Sequence, residues 1–233
     1  MTGNRALIPL RFGVKGEDFH ASLRLLIEAI DATPIDAIVV TPEVALTNFD
    51  YAHFDIAAAM APLIDEALLR LSSSRTLLTT RIDTHEGKFY NRAVVYHRGA
   101  IVHTQAKHKL FTLGREREYF APASLEDIHL FDIDGIRVGI LICFELRFTP
   151  LWERLRGADM ILVPAQWGSL RSAHFAVLSQ ALAIANQCYV IASDSANSDC
   201  TAQHFVWAPD GTTATHFEPD AIATMRRYIN TGI

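Results

Sequence analysis

The chain is 233 residues long, half of them hydrophobic, with a formal net charge of −5 and a pI near 6.0. That length and apolar content suit one domain over residues 1–233 with a sizeable core, and the acidic balance offers no broad basic face to nucleic acid or an anionic membrane. Three cysteines, Cys143, Cys188 and Cys200, with no C-x-x-C spacing, argue against a disulfide framework or a thiolate zinc site and point to a reducing cytosol.

The first twenty residues interleave Arg5, Arg11, Lys15, Glu17 and Asp18 with apolar ones, so no secretory signal is read there. Nor does any stretch reach the ~18 uninterrupted apolar residues of a membrane helix. Phe19, Leu23, Leu26, Ile27 and Ile30 recur at three- and four-residue steps and predict a helix. Ile38 to Thr41 reads as a short buried strand ended by Pro42, which has no amide for the ladder. Ile56, Met60, Leu63, Ile64, Ala67 and Leu71 form a second helical stripe, and Thr76 to Thr80 is again strand-like, giving the strand–helix–strand order of a sheet covered by helices. Phe89 to Tyr96 and Ala100 to Thr104 predict a hairpin around Arg98-Gly99. Leu130 to Ile133 and Ile136 to Ile142 predict another around Asp134-Gly135. Leu151 to Leu155 is a short helix and Met160 to Val163 a buried strand. Arg171 to Gln187 is a long helix with Phe175, Leu178, Leu182 and Ile184 toward the core. Cys188 to Ser193, Phe205 to Ala208 and Ala221 to Tyr228 read as a strand-rich end.

Glu43, Cys143 and Trp167 each fall one to four residues past the end of a predicted buried strand, where α/β sheets present ligand and catalytic groups. Each also has a plainer reading. A free cysteine is usually a small buried hydrophobe, but Cys143 precedes Phe144-Glu145-Leu146-Arg147, and a charged, partly exposed strand end is where a thiol becomes a nucleophile. Glu43, between Ile38-Val39-Val40 and Val44-Ala45-Leu46, must be ion-paired or have its pKa raised, which fits either a salt bridge or a general base. Lys107, His108 and Lys109, and Glu116 in its run of alternating charges, read equally as solvated loop. The histidines lack metal-ligand spacing, no phosphate or dinucleotide loop is present, and G-x-S-x-G is absent. No metal or cofactor is expected.

Taken together, Thr41-Pro42-Glu43, Lys107-His108-Lys109-Leu110-Phe111, Glu116-Arg117-Glu118-Tyr119-Phe120 and Gly139-Ile140-Leu141-Ile142-Cys143-Phe144-Glu145-Leu146-Arg147-Phe148 resemble the nitrilase superfamily of carbon–nitrogen hydrolases in order and spacing. Gly157 to Trp167, Arg171, His174 and Ala183 to Gln187 resemble its next blocks, so the likeness runs from about residue 5 to about residue 211. It implies a four-layer α-β-β-α sandwich, a homodimer, and a catalytic triad on Glu43, Lys107 and Cys143 with Glu116 assisting. Lys109 stands where the family's K-x-H-L-F pattern has histidine, and Ala185 where many relatives have glutamate. By this resemblance Glu43 deprotonates Cys143, and Lys107 with the Phe144 amide holds the oxyanion. A thioester then forms with release of ammonia. The Cys-Phe-Glu-Leu-Arg-Phe run is similar to the branch of ω-amidases, which implies a small amide bearing a carboxylate as substrate. Arg147 is then either a carboxylate binder or the partner of Glu145 or Glu153, and Trp167 lines the pocket or packs in the core. A nitrile or N-carbamoyl hydrolase, and a non-catalytic metabolite-binding or interaction protein, are the alternatives.

Overall fold

The computed structural model describes residues 4–14 and 18–231; Lys15 and Glu17 of the charged N-terminal stretch lie outside them. The elements run β1 (Arg5–Pro9), α1 (Phe19–Asp31), β2 (Ile38–Val40), α2 (Phe54–Ala59), α3 (Ala61–Leu71), β3 (Thr76–His85), β4 (Lys88–His97) and β5 (Ala100–Ala106). They continue with α4 (Glu116–Tyr119), β6 (Phe131–Ile133), β7 (Ile136–Ile140), α5 (Thr149–Arg154), β8 (Met160–Ala165), α6 (Ser172–Asn186), β9 (Tyr189–Asp194), β10 (His204–Trp207), β11 (His216–Phe217) and α7 (Pro219–Thr231).

Two sheets result, in the orders β11-β1-β2-β3-β4-β5 and β10-β9-β8-β7-β6. Parallel strands stand in the middle of each, β1 to β3 in the first and β7 to β9 in the second, with antiparallel strands outside. The two-residue period of a strand assigns the layers. Val39, Leu77 and Val94 turn outward and pack with Leu26, Ile30, Ile64 and Leu68 of α1 and α3. Their neighbours Ile38, Val40, Leu78, Ala93 and Val95 turn inward and join Val138, Ile140, Ile161 and Val163 of the second sheet, whose far side is covered by Leu151, Trp152, Phe175 and Leu182. This is the α-β-β-α sandwich. Fully buried central strands explain the uninterrupted Ile/Val/Leu runs in the sequence.

Four local expectations need correction. The apolar stripe from Ile56 to Leu71 is two helices, because Pro62 in the first turn of α3 cannot donate an amide bond back into α2. Ile56 and Leu63 are exposed, as is Ile184 of α6. β3 runs on to His85 and turns through Glu86 and Gly87, both at positive φ, to pair along its length with β4. Residues 221–228, read as a strand, belong to helix α7: Pro219 opens it with Asp220 in the first turn, a favourable helix start that the mostly apolar run Ala221 to Met225 conceals. Arg226 fastens α7 to the second sheet through Asp159 at 3.0 Å and the Ala158 carbonyl at 2.7 Å. Among the described residues no helix is long and apolar enough to cross a membrane.

Candidate active site

Glu43 lies three residues past β2, Cys143 three past β7 and Trp167 two past β8. The first belongs to one sheet and the other two to its partner sheet, so the site forms where the sheets' strand ends meet. The Glu43 amide donates to the Ala165 carbonyl at 3.2 Å, and the Gln166 amide donates to Glu43 Oε2 at 3.2 Å. Each sheet therefore holds the other's functional loop.

Lys107, directly after β5, is fully buried. Its Nζ donates to Glu43 Oε1 at 2.6 Å and to Glu116 Oε1 at 2.8 Å. Burial opposes its charge, but the two carboxylates outweigh that effect and hold the ammonium pKa above its ordinary value. Lys109, the other candidate, instead lies 5.3 Å from the centre of the Phe148 ring and is half-buried. Glu116 is placed by α4 and also accepts from the Phe111 amide at 3.0 Å; burial raises its pKa despite the neighbouring lysine. The charged loop of the sequence is thus folded inward, its lysine held between two carboxyl groups.

Cys143 opens a 3₁₀ turn (Cys143–Arg147) at φ 48°, and Val44, next to Glu43, has φ 38°. Left-handed backbone at such residues costs on the order of 1–3 kcal/mol each and persists only where surroundings enforce it. The enforcing group at Cys143 is Glu145. Its buried carboxylate accepts from the amides of Ile142 at 2.7 Å, His108 at 2.7 Å and Lys109 at 3.2 Å, tying the cysteine turn to the lysine loop. Burial pushes the Glu145 pKa up to about 7, against those three donors. Burial and then the Glu43 charge push the Cys143 thiol well above its ordinary range, with Lys107 pulling the other way. At rest the site therefore holds a neutral thiol beside carboxylates and an ammonium. Its Sγ sits 3.7 Å from the Gln166 carbonyl.

Cys143 and Glu116 line a cleft of about 560 Å3, with Asn48, Tyr51, Gln166 and Arg171 among its walls. A narrow extension is lined by Cys143, Phe144, Arg147, Trp167 and Arg171. Trp167 is both wall and core: its ring packs 5.5 Å from Phe175, its indole N–H donates to the Arg171 carbonyl at 2.9 Å, and its amide donates to Asp194 at 2.6 Å. Arg147 pairs with neither Glu145 nor Glu153. Its guanidinium stacks 4.7 Å over Trp167 and reaches His174 Nδ1 at 3.1 Å.

Sequence reasoning missed three supporting residues. Asn91 on β4 donates to Glu43 Oε1 at 2.7 Å, Gln166 donates to the Glu43 carbonyl and to Asn48 Oδ1, both at 3.0 Å, and Glu145 was considered only as a partner for Arg147. An asparagine inside a run of strand formers, and an acid directly behind a buried strand, were the available signals. Among the described residues no three His, Cys, Asp or Glu side chains are grouped to hold a metal ion.

A family model described as carbon-nitrogen hydrolase matches residues 15–224. The chain is 29% identical over 189 residues to a deaminated glutathione amidase of Escherichia coli O157:H7, covering 76% of this chain and 72% of that protein. It is 27% identical over 191 residues to the omega-amidase YafV of Escherichia coli K12, covering 81% and 73%. Its fold matches that of Saccharomyces cerevisiae Nit3, a member of branch 10 of the nitrilase superfamily, with TM-score 0.85 at 18% identity over 97% of this chain and 94% of that one.

Proposed function

The chain belongs to the carbon–nitrogen hydrolase family, and from that premise we propose a cysteine-nucleophile amidase that releases ammonia from a small carboxylate-bearing amide. The observation that carries the reading is the buried Glu43–Lys107–Glu116 ion group set against Cys143 at the cleft. Amidases among its relatives support the reaction class.

In the proposed cycle Glu43 takes the thiol proton as the sulfur attacks the amide carbon. The resulting oxyanion is held by Lys107 Nζ and the Phe144 amide, each donor worth on the order of 3 kcal/mol. Collapse breaks the C–N bond, and the departing nitrogen takes the proton from Glu43 and leaves as ammonia. Glu43 then deprotonates a water that attacks the thioester, regenerating the thiol and releasing a carboxylic acid. Glu116 keeps Lys107 in place throughout. Arg147, cradled on Trp167, pairs with the substrate carboxylate.

Ammonia release from a panel of ω-amides, neutral amides, nitriles and ureido acids tests this: the ω-amides should turn over fastest, and Cys143→Ala should abolish turnover. Undiminished activity of that variant would end the mechanism. We further propose a cytoplasmic homodimer, paired through the side of α6 where Val177 and Ile184 are 63 and 48% exposed, together with Leu170 just before the helix, 95% exposed. The measured mass in solution decides that.

A further inference from the structure

Two guanidinium groups reach the neighbourhood of Cys143, and among the described residues neither forms an ion pair. Arg147 and Arg171 both line the narrow extension with the thiol, and Arg171 lines the main cleft as well. Asp199 lines the main cleft but not the extension, and Asp50 is taken by His53 at 2.7 Å. After burial, the nearness of Arg171 is what lowers the Arg147 pKa, so the two like charges already act on one another. Glu116 lines the main cleft but is bound to Lys107, and no Asp or Glu lines the extension, so two cations at that recess are unfavourable unless an anion binds there.

Arg171 is held by shape. Its guanidinium lies 5.4 Å from the centre of the Phe111 ring, and Phe111 in turn packs 5.0 Å from Phe144. Gly168 also lies against the guanidinium: a Cβ there would stand 2.8 Å from Arg171 Nη2. Gly168 has φ −58° and ψ 136°, a backbone that any residue adopts, so the absence of a side chain serves space rather than conformation. Among the described residues the guanidinium donates no hydrogen bond to the protein, so its donors are available to a ligand.

We propose that Arg171, in contact with Phe111 and Gly168, is the second jaw of a carboxylate clamp with Arg147 and determines selectivity for amides that carry a carboxylate away from the scissile bond. The inference rests on the amidase reading above and adds to it the residue that sets substrate class. Gly168 is a positioning residue, acting through Arg171.

The test compares 4-carbamoylbutanoate with butyramide, reading the ratio of their kcat/KM values. In Arg171→Met that ratio should fall on the order of tenfold or more, the loss of a charge-assisted hydrogen bond, and the fall should lie in KM for the carboxylate substrate rather than in kcat. Arg171→Lys should recover part of it. Gly168→Ala should move the ratio the same way through KM, with the arginine still present. Equal loss on both substrates, or an unchanged ratio in variants whose melting temperature matches the parent, overturns the clamp. If the parent prefers 4-carbamoylbutanoate and Arg171→Met keeps that preference, the amidase reading stands and the Arg171 assignment alone falls. A parent that cleaves butyramide but not 4-carbamoylbutanoate overturns the substrate class itself.

Discussion

Lys107 carries the electrostatics of the site at the scale of one residue. Its ammonium is the cation between two buried carboxylates, so Lys107→Met leaves Glu43 and Glu116 facing each other. Breaking a buried ion pair by removing one partner costs about 3–5 kcal/mol. The variant should therefore unfold at markedly lower urea than the parent at pH 7. The pH dependence has a definite sign. Without the lysine the Glu116 pKa, already raised by burial, rises further, so the folded variant binds protons more readily, and the gap to the parent narrows as pH falls. A constant gap between pH 8 and pH 5 would contradict the view that the ammonium is the balancing charge. The resemblance to K-x-H-L-F names Lys107 rather than Lys109, and the structure adds what it touches, Glu43 and Glu116. Cys143 had an ambiguous standing, since its sequence neighbours do not show that Glu43 lies against it.

Secondary-structure elements bring their own test. The hairpin turn of β6 and β7 places Asp134 at φ 54°, with Gly135 beside it at φ 82°. Two guanidinium groups and an imidazole of the first sheet converge on this carboxylate of the second: Arg5 at 2.7 Å, Arg98 at 2.9 Å and His97 at 3.1 Å. Desolvation works against the charge, but His97 and Arg5 outweigh it and hold the Asp134 pKa below the ordinary carboxylate range. A depressed carboxylate pKa contributes stability that is present above the unfolded value near ~4 and is lost as pH falls through the folded value. Asp134→Asn should accordingly melt below the parent at pH 7, with the difference shrinking as pH falls below about 4. Equal differences at both ends would remove the inter-sheet charge role. The turn itself was legible, because Asp-Gly between apolar runs has few other uses. Its contact with β1 and β4 was not, and neither was α7, whose helical character depends on Pro219 and on packing against the second sheet.

Burial of histidine adds to the acid sensitivity of the whole molecule. His103, stacked 3.9 Å from the Phe131 ring, and His204 on the edge strand β10 are both pushed down to about 4, first by burial and then by His129 and Arg11 respectively. Their unfolded pKa is near ~6.5, so between that pH and 4 the unfolded chain takes up protons that the folded one refuses, and their contribution to stability declines over that window. His103→Phe keeps the ring stack and removes one titrating group. Its melting temperature should fall less than the parent's from pH 7 to pH 4.5, and parallel curves would rule the contribution out. The sequence by itself determined the covered sheets, most strand and helix positions and the short set Glu43, Lys107, Glu116, Cys143, because hydrophobic period and motif order are properties of neighbouring residues. Only the tertiary structure decided that Asn91, Gln166 and Glu145 fasten that set, that Lys107 sits between two carboxylates, and that two arginines share one recess. Those contacts join residues up to 123 positions apart across two sheets, and such proximity is created by folding rather than written in local sequence.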